Sequence, residues 1–398
     1  MNTRQWISIG TALLLARSAT AATAVTTSSR GFLAAEYGYL PSNAANRQQI
    51  ERQLIAKLQL EGSARLSESW QAAARIFGRY DMSGSQQDTA RFDELWLQYS
   101  TPQWDVRVGN QLVTWGSVES SSPLDTVNPR DHAEDIIEPT KIGVPALRLR
   151  RKFGGDDLSL YWLPYYQPAI QPGRDSRYGF SGGLPLDTPN ARWDAAQWAA
   201  RYFHTGDGFD VGVSWVHALE RAGSFELAPG ADALLGRAIA ADRYGVDMTY
   251  IIGEGVLKGE LVYRTTEQSG NRSAWLYVLG SEYSWSGVWG LSDLTLFAEY
   301  LGSSNNVVAR ELLQNDLFLA LRWTLNDLRK QRLQAGVFVD MSRSAQRVYR
   351  VEYNFSPTDA FDVVLRYTGE HDYFPTSRPA GAAGPEDGAF NLLFRFNF

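Results

Sequence analysis

The sequence predicts an all-β chain closed into a transmembrane antiparallel β-barrel of about 18 strands, with 16 as the alternative count, preceded by a cleaved signal peptide. Three observations carry this prediction. Apolar and polar side chains alternate along many short segments, and the connections between those segments alternate between tight and long. No stretch after the leader reaches the roughly 18 uninterrupted apolar residues that a membrane helix requires.

The leader comes first. Residues 1–24 carry Arg4, an apolar stretch from Trp6 to Ala16, and the small-residue sites Ala19-Thr20-Ala21 and Ala22-Thr23-Ala24, the pattern of a secretory signal peptide. Residues 25–398 are then expected to form a single barrel domain.

Successive side chains of a strand point to opposite faces, so a wall between lipid and water reads as strict alternation. On that criterion strands are expected at 31–40, 53–64, 70–82, 90–100, 104–116, 146–154, 157–167, 195–204 and 208–218. They continue at 242–252, 255–266, 273–285, 291–301, 316–326, 331–341, 346–355, 360–369 and 389–398. The facing is plainest late in the chain. In 316–326, Leu317, Leu319, Leu321, Trp323 and Leu325 share one face, opposite Phe318, Ala320, Arg322 and Thr324. In 346–355, Tyr349, Val351, Tyr353 and Phe355 oppose Arg350, Glu352 and Asn354. An arginine turned to lipid at the midplane would cost about 2–4 kcal/mol, and the pattern avoids that cost almost everywhere. Because hydrocarbon offers the backbone no partners, such strands must close on themselves.

The connections fit a barrel with short turns at one end and longer loops at the other. Tight ones are Thr101-Pro102-Gln103, Gly155-Asp156, Thr205-Gly206-Asp207, Gly253-Glu254 and the segments 286–290, 327–330 and 356–359. Long ones are 41–52, 83–89, 117–145, 168–194, 219–241, 302–315 and 370–388. Both termini then lie at the short-turn end. The 305–315 segment reads as one amphipathic turn, and 370–388 as a flexible loop rich in Pro, Gly and Ala.

The final segment puts Phe390, Leu392, Phe394, Phe396 and Phe398 on one stripe, with Asn391, Arg395 and Asn397 opposite. It resembles the C-terminal strand signal by which bacterial outer-membrane barrels are recognised for assembly. That resemblance implies the outer membrane of a Gram-negative bacterium, contact with its lipid bilayer and lipopolysaccharide, and engagement of the barrel assembly machinery through Phe398. The 13 Trp and 19 Tyr are the amount two interfacial belts would need.

Composition removes several functions. A formal net charge of −6, with no basic arm, argues against nucleic acid as a partner. Absence of cysteine excludes disulfides, thiol catalysis and cysteine zinc sites. Of the four histidines, only His132 lies where a Ser–His set could assemble, among Asp125, Asp131, Asp135 and the serines of 117–122. Nothing there matches the signatures of barrel phospholipases or lipid A deacylases. The expectation is no enzyme, no catalytic residue, no cofactor and no metal, with Asp131, Glu134, Asp135 and Glu138 read as a charged loop face rather than a calcium site.

The candidate site is the pore lining: Glu94, Arg107, Gln111, Trp115, Asp125, Arg130, Asp131, Arg148, Arg150, Arg201, Arg264, Arg322, Arg350, Arg366 and Arg395. Only five lysines occur, so arginine carries nearly all the cationic charge. A guanidinium bridges carboxylates bidentately, which suits cross-strand ion pairs that brace a wet wall. The same residues could instead form a strip that guides an anionic or amphiphilic solute. The loop 117–145, the third on its side, carries Pro129, Pro139 and Pro145 and is expected to fold into the lumen as a constriction. The third loop of porins does so.

The run Gly109, Gln111, Trp115-Gly116, Pro123, Asp125, Asn128, Pro129 and Asp131 is similar to the G-x-Q…W-G…P-x-D…N-P-x-D stretch of a proteobacterial outer-membrane barrel family of unknown function. Members are found beside RND-type exporters and periplasmic lipid-binding lipoproteins, and the resemblance implies those partners and the passage of lipid-like molecules. Size and strand number also resemble the alginate-export barrels, which implies an arginine-lined path for an anionic product. The expected function is an outer-membrane channel or transport barrel passing solute or exported lipid-like or anionic product. A general porin is the alternative; an outer-membrane lipid hydrolase or a surface structural barrel stands behind both.

Overall fold

The computed structural model describes residues 25–40, 50–84, 88–135, 137–172, 186–193, 195–221, 224–230, 233–266, 273–305, 315–342, 346–371 and 387–398. The leader, the 305–315 turn at 306–314 and the last loop at 372–386 fall outside these residues.

Eighteen strands form one antiparallel sheet. In chain order they start with β1 (Thr26–Tyr39), β2 (Arg52–Arg65), β3 (Trp70–Asp81), β4 (Thr89–Ser100) and β5 (Trp104–Gln111). A loop containing the two-residue strands β6 (Arg130–Asp131) and β7 (Thr140–Lys141) leads to β8 (Val144–Phe153) and β9 (Asp156–Leu163). After β10 (Leu186–Asp187) come β11 (Gln197–Thr205) and β12 (Phe209–Leu219); β13 (Ser224–Leu227) and β14 (Leu234–Arg237) join β10 in a separate three-stranded sheet. The wall resumes with β15 (Ala240–Ile252), β16 (Gly255–Thr266), β17 (Ala274–Val288), β18 (Ser292–Ser303) and β19 (Asn315–Thr324). It ends with β20 (Arg332–Asp340), β21 (Arg347–Thr358), β22 (Phe361–His371) and β23 (Asp387–Asn397). Pairing of β1 with both β2 and β23 closes the cylinder, so no edge is left to lipid.

The larger count of 18 therefore holds, and every strand expected from alternation is present. Most ends shift by one to three residues and three by more, the first strand starting at Thr26 rather than 31. The fifth strand stops at Gln111 rather than 116, because its ladder with β8 ends at the Gln111–Val144 pair and Leu112–Gly116 turn away from the wall. The seventh stops at Leu163, where Pro164 has no N–H to extend the ladder.

Alternation maps onto the two faces as expected. Leu319, Leu321, Val351, Phe390, Phe394 and Phe398 are exposed on the outer surface, whereas Phe318, Ala320 and Phe338 are buried facing inward. Tyrosines lie over glycines of the neighbouring strand on the outer face: a Cβ on Gly302 would meet the Tyr277 ring at 2.4 Å, and one on Gly369 the Tyr349 ring at 2.3 Å. The buried apolar core lies inside the barrel. Val113, Trp115, Leu124 and Val127 of the loop pack against inward side chains such as Val144, Tyr161, Val216, Val262 and Phe297.

Candidate functional site

The site is built by the segment 112–143, which leaves the wall at β5 and rejoins it at β8. Asn128 clips its stems together: its Oδ1 accepts from Val113 N–H at 2.7 Å, and its Nδ2 donates to the carbonyls of Gln111 (3.1 Å) and Ile142 (2.8 Å). Gln111 is itself buried and donates to the Ala146 carbonyl at 2.9 Å. At Gly116 the chain adopts φ +87°, and a Cβ there would lie 2.4 Å from the Glu260 carboxylate. Only glycine meets both conditions.

Beyond Gly116 the loop is fastened to the far wall by carboxylates of the wall itself. The N–H groups of Ser117 (2.8 Å) and Val118 (3.3 Å) and the Ser122 hydroxyl (2.5 Å) donate to Glu260 on β16. The N–H groups of Glu119 (2.8 Å) and Ser120 (2.9 Å), with the Ser120 hydroxyl, donate to Glu299 on β18. Neither carboxylate has a cation within ion-pair distance among the described residues. Glu119 reaches Arg322 on β19 at 3.4 Å.

The second half reverses the charges. Asp131 is fully buried between Arg79 on β3 (3.0 Å) and Arg91 on β4 (2.7 Å). Glu134 meets Lys57 on β2 at 3.2 Å. Asp135 meets Arg350 on β21 (2.8 Å) and Arg366 on β22 (3.0 Å). Burial opposes the Asp135 carboxylate, but the two guanidiniums outweigh it and bring the carboxyl down to about 2. Burial of Glu134 is likewise outweighed, chiefly by Lys57, so that carboxyl also lies below its ordinary value. The loop thus touches the wall from β2 round to β22.

The candidate residues divide by what holds them. Gln111 and Asp131 are sealed from solvent, so they build the loop rather than the pore surface. Trp115 is buried edge-on against Tyr161 at 5.9 Å, with the Arg201 guanidinium 5.6 Å from its ring. Asp125 pairs with Arg130 (2.8 Å) and Lys141 (2.6 Å) inside the loop. Of the wall arginines, Arg201 is doubly bonded to Asp247 (2.8 and 2.7 Å), Arg264 to Glu220 (2.6 Å), and Arg150 to Asp157 (2.8 Å). Arg350 and Arg366 are committed to Asp135, and Glu94 is bonded by Trp96 (3.1 Å) and Arg75 (3.2 Å).

Arg107 and Arg148 are different. They are register partners on β5 and β8, and both donate to one neutral acceptor, the Gln98 Oε1, at 2.8 and 3.1 Å. Arg107 also stacks 3.9 Å from the Trp96 ring. Neither forms an ion pair among the described residues. Arg395 too lacks one, and lies 4.7 Å from the Phe32 ring.

Sequence reasoning missed Lys57, Arg79 and Arg91, the cations that receive the loop. Arg79 was accessible from alternation, since Phe77, Arg79 and Asp81 share the buried face of β3. Arg91 was not, because a register shift opposite Arg75–Ile76 inserts Asp93 and changes the face read along β4.

These features define a porin-like outer-membrane barrel: a closed 18-stranded wall, an apolar belt outside and an infolded loop within. Solved structures share the fold. A BenF-like porin from Pseudomonas fluorescens Pf-5 superposes with a TM-score of 0.56 at 8% identity, over 94% of this chain and 98% of that one. The outer membrane protein OpdK from Pseudomonas aeruginosa does so at 0.53, with 8% identity and the same coverage. No family model and no curated protein sequence matches the chain.

Proposed function

We propose that the chain is an outer-membrane diffusion channel for small anionic solutes, narrowed by residues 112–143. The observation that carries this reading is the fastening of one loop to wall strands on all sides of the lumen, while Arg107 and Arg148 have no bonded carboxylate among the described residues. A pair of positive charges in a narrow, low-dielectric passage lowers the energy of an anion there and raises that of a cation. A lipid-like exported product fits less well. Apolar side chains inside the barrel are largely consumed by packing loop against wall, and the remaining inner face is ionic.

Planar-bilayer recording of the purified protein tests the reading. The wild type is expected to conduct steadily without partner proteins and to favour chloride over potassium. Deleting 121–135 should enlarge the unit conductance, and Arg107→Gln with Arg148→Gln should move the reversal potential toward cations. Vanillate, with which an OpdK structure is described, is a suitable carboxylate competitor for chloride current. A silent wild-type barrel would overturn the channel, and an unmoved reversal potential would return the two arginines to a bracing role.

A further inference from the structure

At the short-turn end, the inner wall of β19–β23 holds a pocket of about 710 Å³, none of whose lining residues belongs to the loop. Its carboxylates are already committed. Glu352 accepts from Arg366 and Asn354, both at 2.7 Å, and Asp362 from Ser356 (2.7 Å) and Asn397 (2.8 Å). Its arginines are not all committed. Arg395 forms no ion pair among the described residues, and its buried Nε–H has no acceptor. Arg332 comes no nearer than 3.7 Å to Glu352, and its Nε–H is likewise unmatched. A buried donor left without a partner is a cost that a structure normally avoids.

The lining has a second unusual property. Val364 and Leu393 are register partners on β22 and β23, on the same inward face as Asp362 and Arg395. Two apolar side chains side by side among the charged groups of this pocket are poorly matched to water and well matched to hydrocarbon.

We propose that this pocket binds a small carboxylate carrying a short apolar body, the carboxylate on Arg395 and Arg332 and the hydrocarbon on Val364 and Leu393. Planar guanidiniums suit a carboxylate, and the adjacent apolar pair distinguishes butyrate from acetate. The site lies on β19–β23, whereas Arg107 and Arg148 lie on β5 and β8, so it goes beyond the channel reading. It supplies a second station for an anion, at the end of the barrel that faces the periplasm.

Calorimetric titration of the full folded barrel in detergent, with butyrate, acetate and butylammonium as probes, tests the site without any need for current. Butyrate should bind saturably, acetate more weakly and butylammonium not at all. Arg395→Gln and Arg332→Gln should each weaken butyrate roughly tenfold or more, the loss expected for a charged hydrogen bond. Leu393→Ser should abolish the preference for butyrate over acetate. Absence of saturable butyrate binding by the wild type overturns the site, whatever the variants do, and so does binding indifferent to Arg395→Gln in a barrel that still migrates as folded. A barrel that conducts but does not bind refutes this site alone, and one that binds but does not conduct refutes the channel alone.

Discussion

Asp131 shows what a single side chain contributes here. It is fully buried, and two guanidiniums, themselves nearly buried, converge on it from separate strands. Replacing it by alanine removes the carboxylate that Arg79 and Arg91 share; Arg91 retains Asp93 at 2.8 Å and Glu134 at 3.9 Å. Removing one partner of a buried pair typically costs about 3–5 kcal/mol, because a desolvated charge is stranded. Asp131→Ala is therefore expected to lower the denaturant midpoint of the folded barrel by an amount in that range, read by heat-modifiable migration. Asp125→Ala, whose partners Arg130 and Lys141 are more exposed, should cost under half as much. Equal costs would mean that burial does not set the strength of these pairs. Asp125 and Asp131 looked equivalent in the sequence. Their difference arises only from where the folded loop sets them, 52 residues from Arg79 in one case and 5 from Arg130 in the other.

The loop as an element is held by two chemically distinct fastenings. Its second half rests on ion pairs, in which Asp135, with a carboxyl at about 2 against an ordinary 3.8, contributes stability fully above pH ~4 and loses it as pH falls through ~2. Its first half rests on Glu260 and Glu299, each accepting backbone and hydroxyl donors with no bonded cation among the described residues. Around Glu260 and Glu299 the charged neighbours are Asp247 and Arg201, already paired with each other, Lys258 paired with Glu282, and Arg322 with Glu119. A neutral amide accepts such bonds about half as strongly as a carboxylate. Glu260→Gln with Glu299→Gln should therefore loosen residues 117–122 while 131–135 stay attached, giving noisier current and a larger unit conductance at neutral pH. In that variant any remaining acid response should begin only below pH ~4, the window in which Asp135 takes up its proton. Unchanged conductance and noise would mean that the first half is held by packing of Val113, Trp115 and Leu124 alone. The strands were legible in the sequence because a lipid-facing charge is expensive, so each wall segment carries its own record of facing. The loop's attachments were not, since partners as distant as Asp135 and Arg366, 231 residues apart, meet only once the cylinder has closed.

At the scale of the molecule, everything depends on the seam between the first and last strands. Eight residue pairs join β1 to β23, and the final turn of the zip is made by Phe398, whose N–H donates to the Gly31 carbonyl at 3.0 Å and whose carbonyl accepts from Gly31 N–H at 2.8 Å. The Phe398 ring fills the space where a Cβ on Gly31 would stand, 2.9 Å away, and stays exposed on the outer surface. This bond pair is backbone, so it survives a change of side chain. An aspartate near the interface of a barrel costs at most about 1 kcal/mol, far too little to open an 18-stranded wall. Phe398→Asp should consequently refold in detergent or liposomes with nearly wild-type yield. In cells it should accumulate far less folded barrel in the outer membrane if the terminal aromatic is what the assembly machinery reads. Comparing heat-shifted bands from both preparations separates the two roles: a loss in both assigns Phe398 to the seam, a loss only in cells assigns it to recognition, and no loss in either leaves the alternating stripe of β23, rather than its last ring, as the signal.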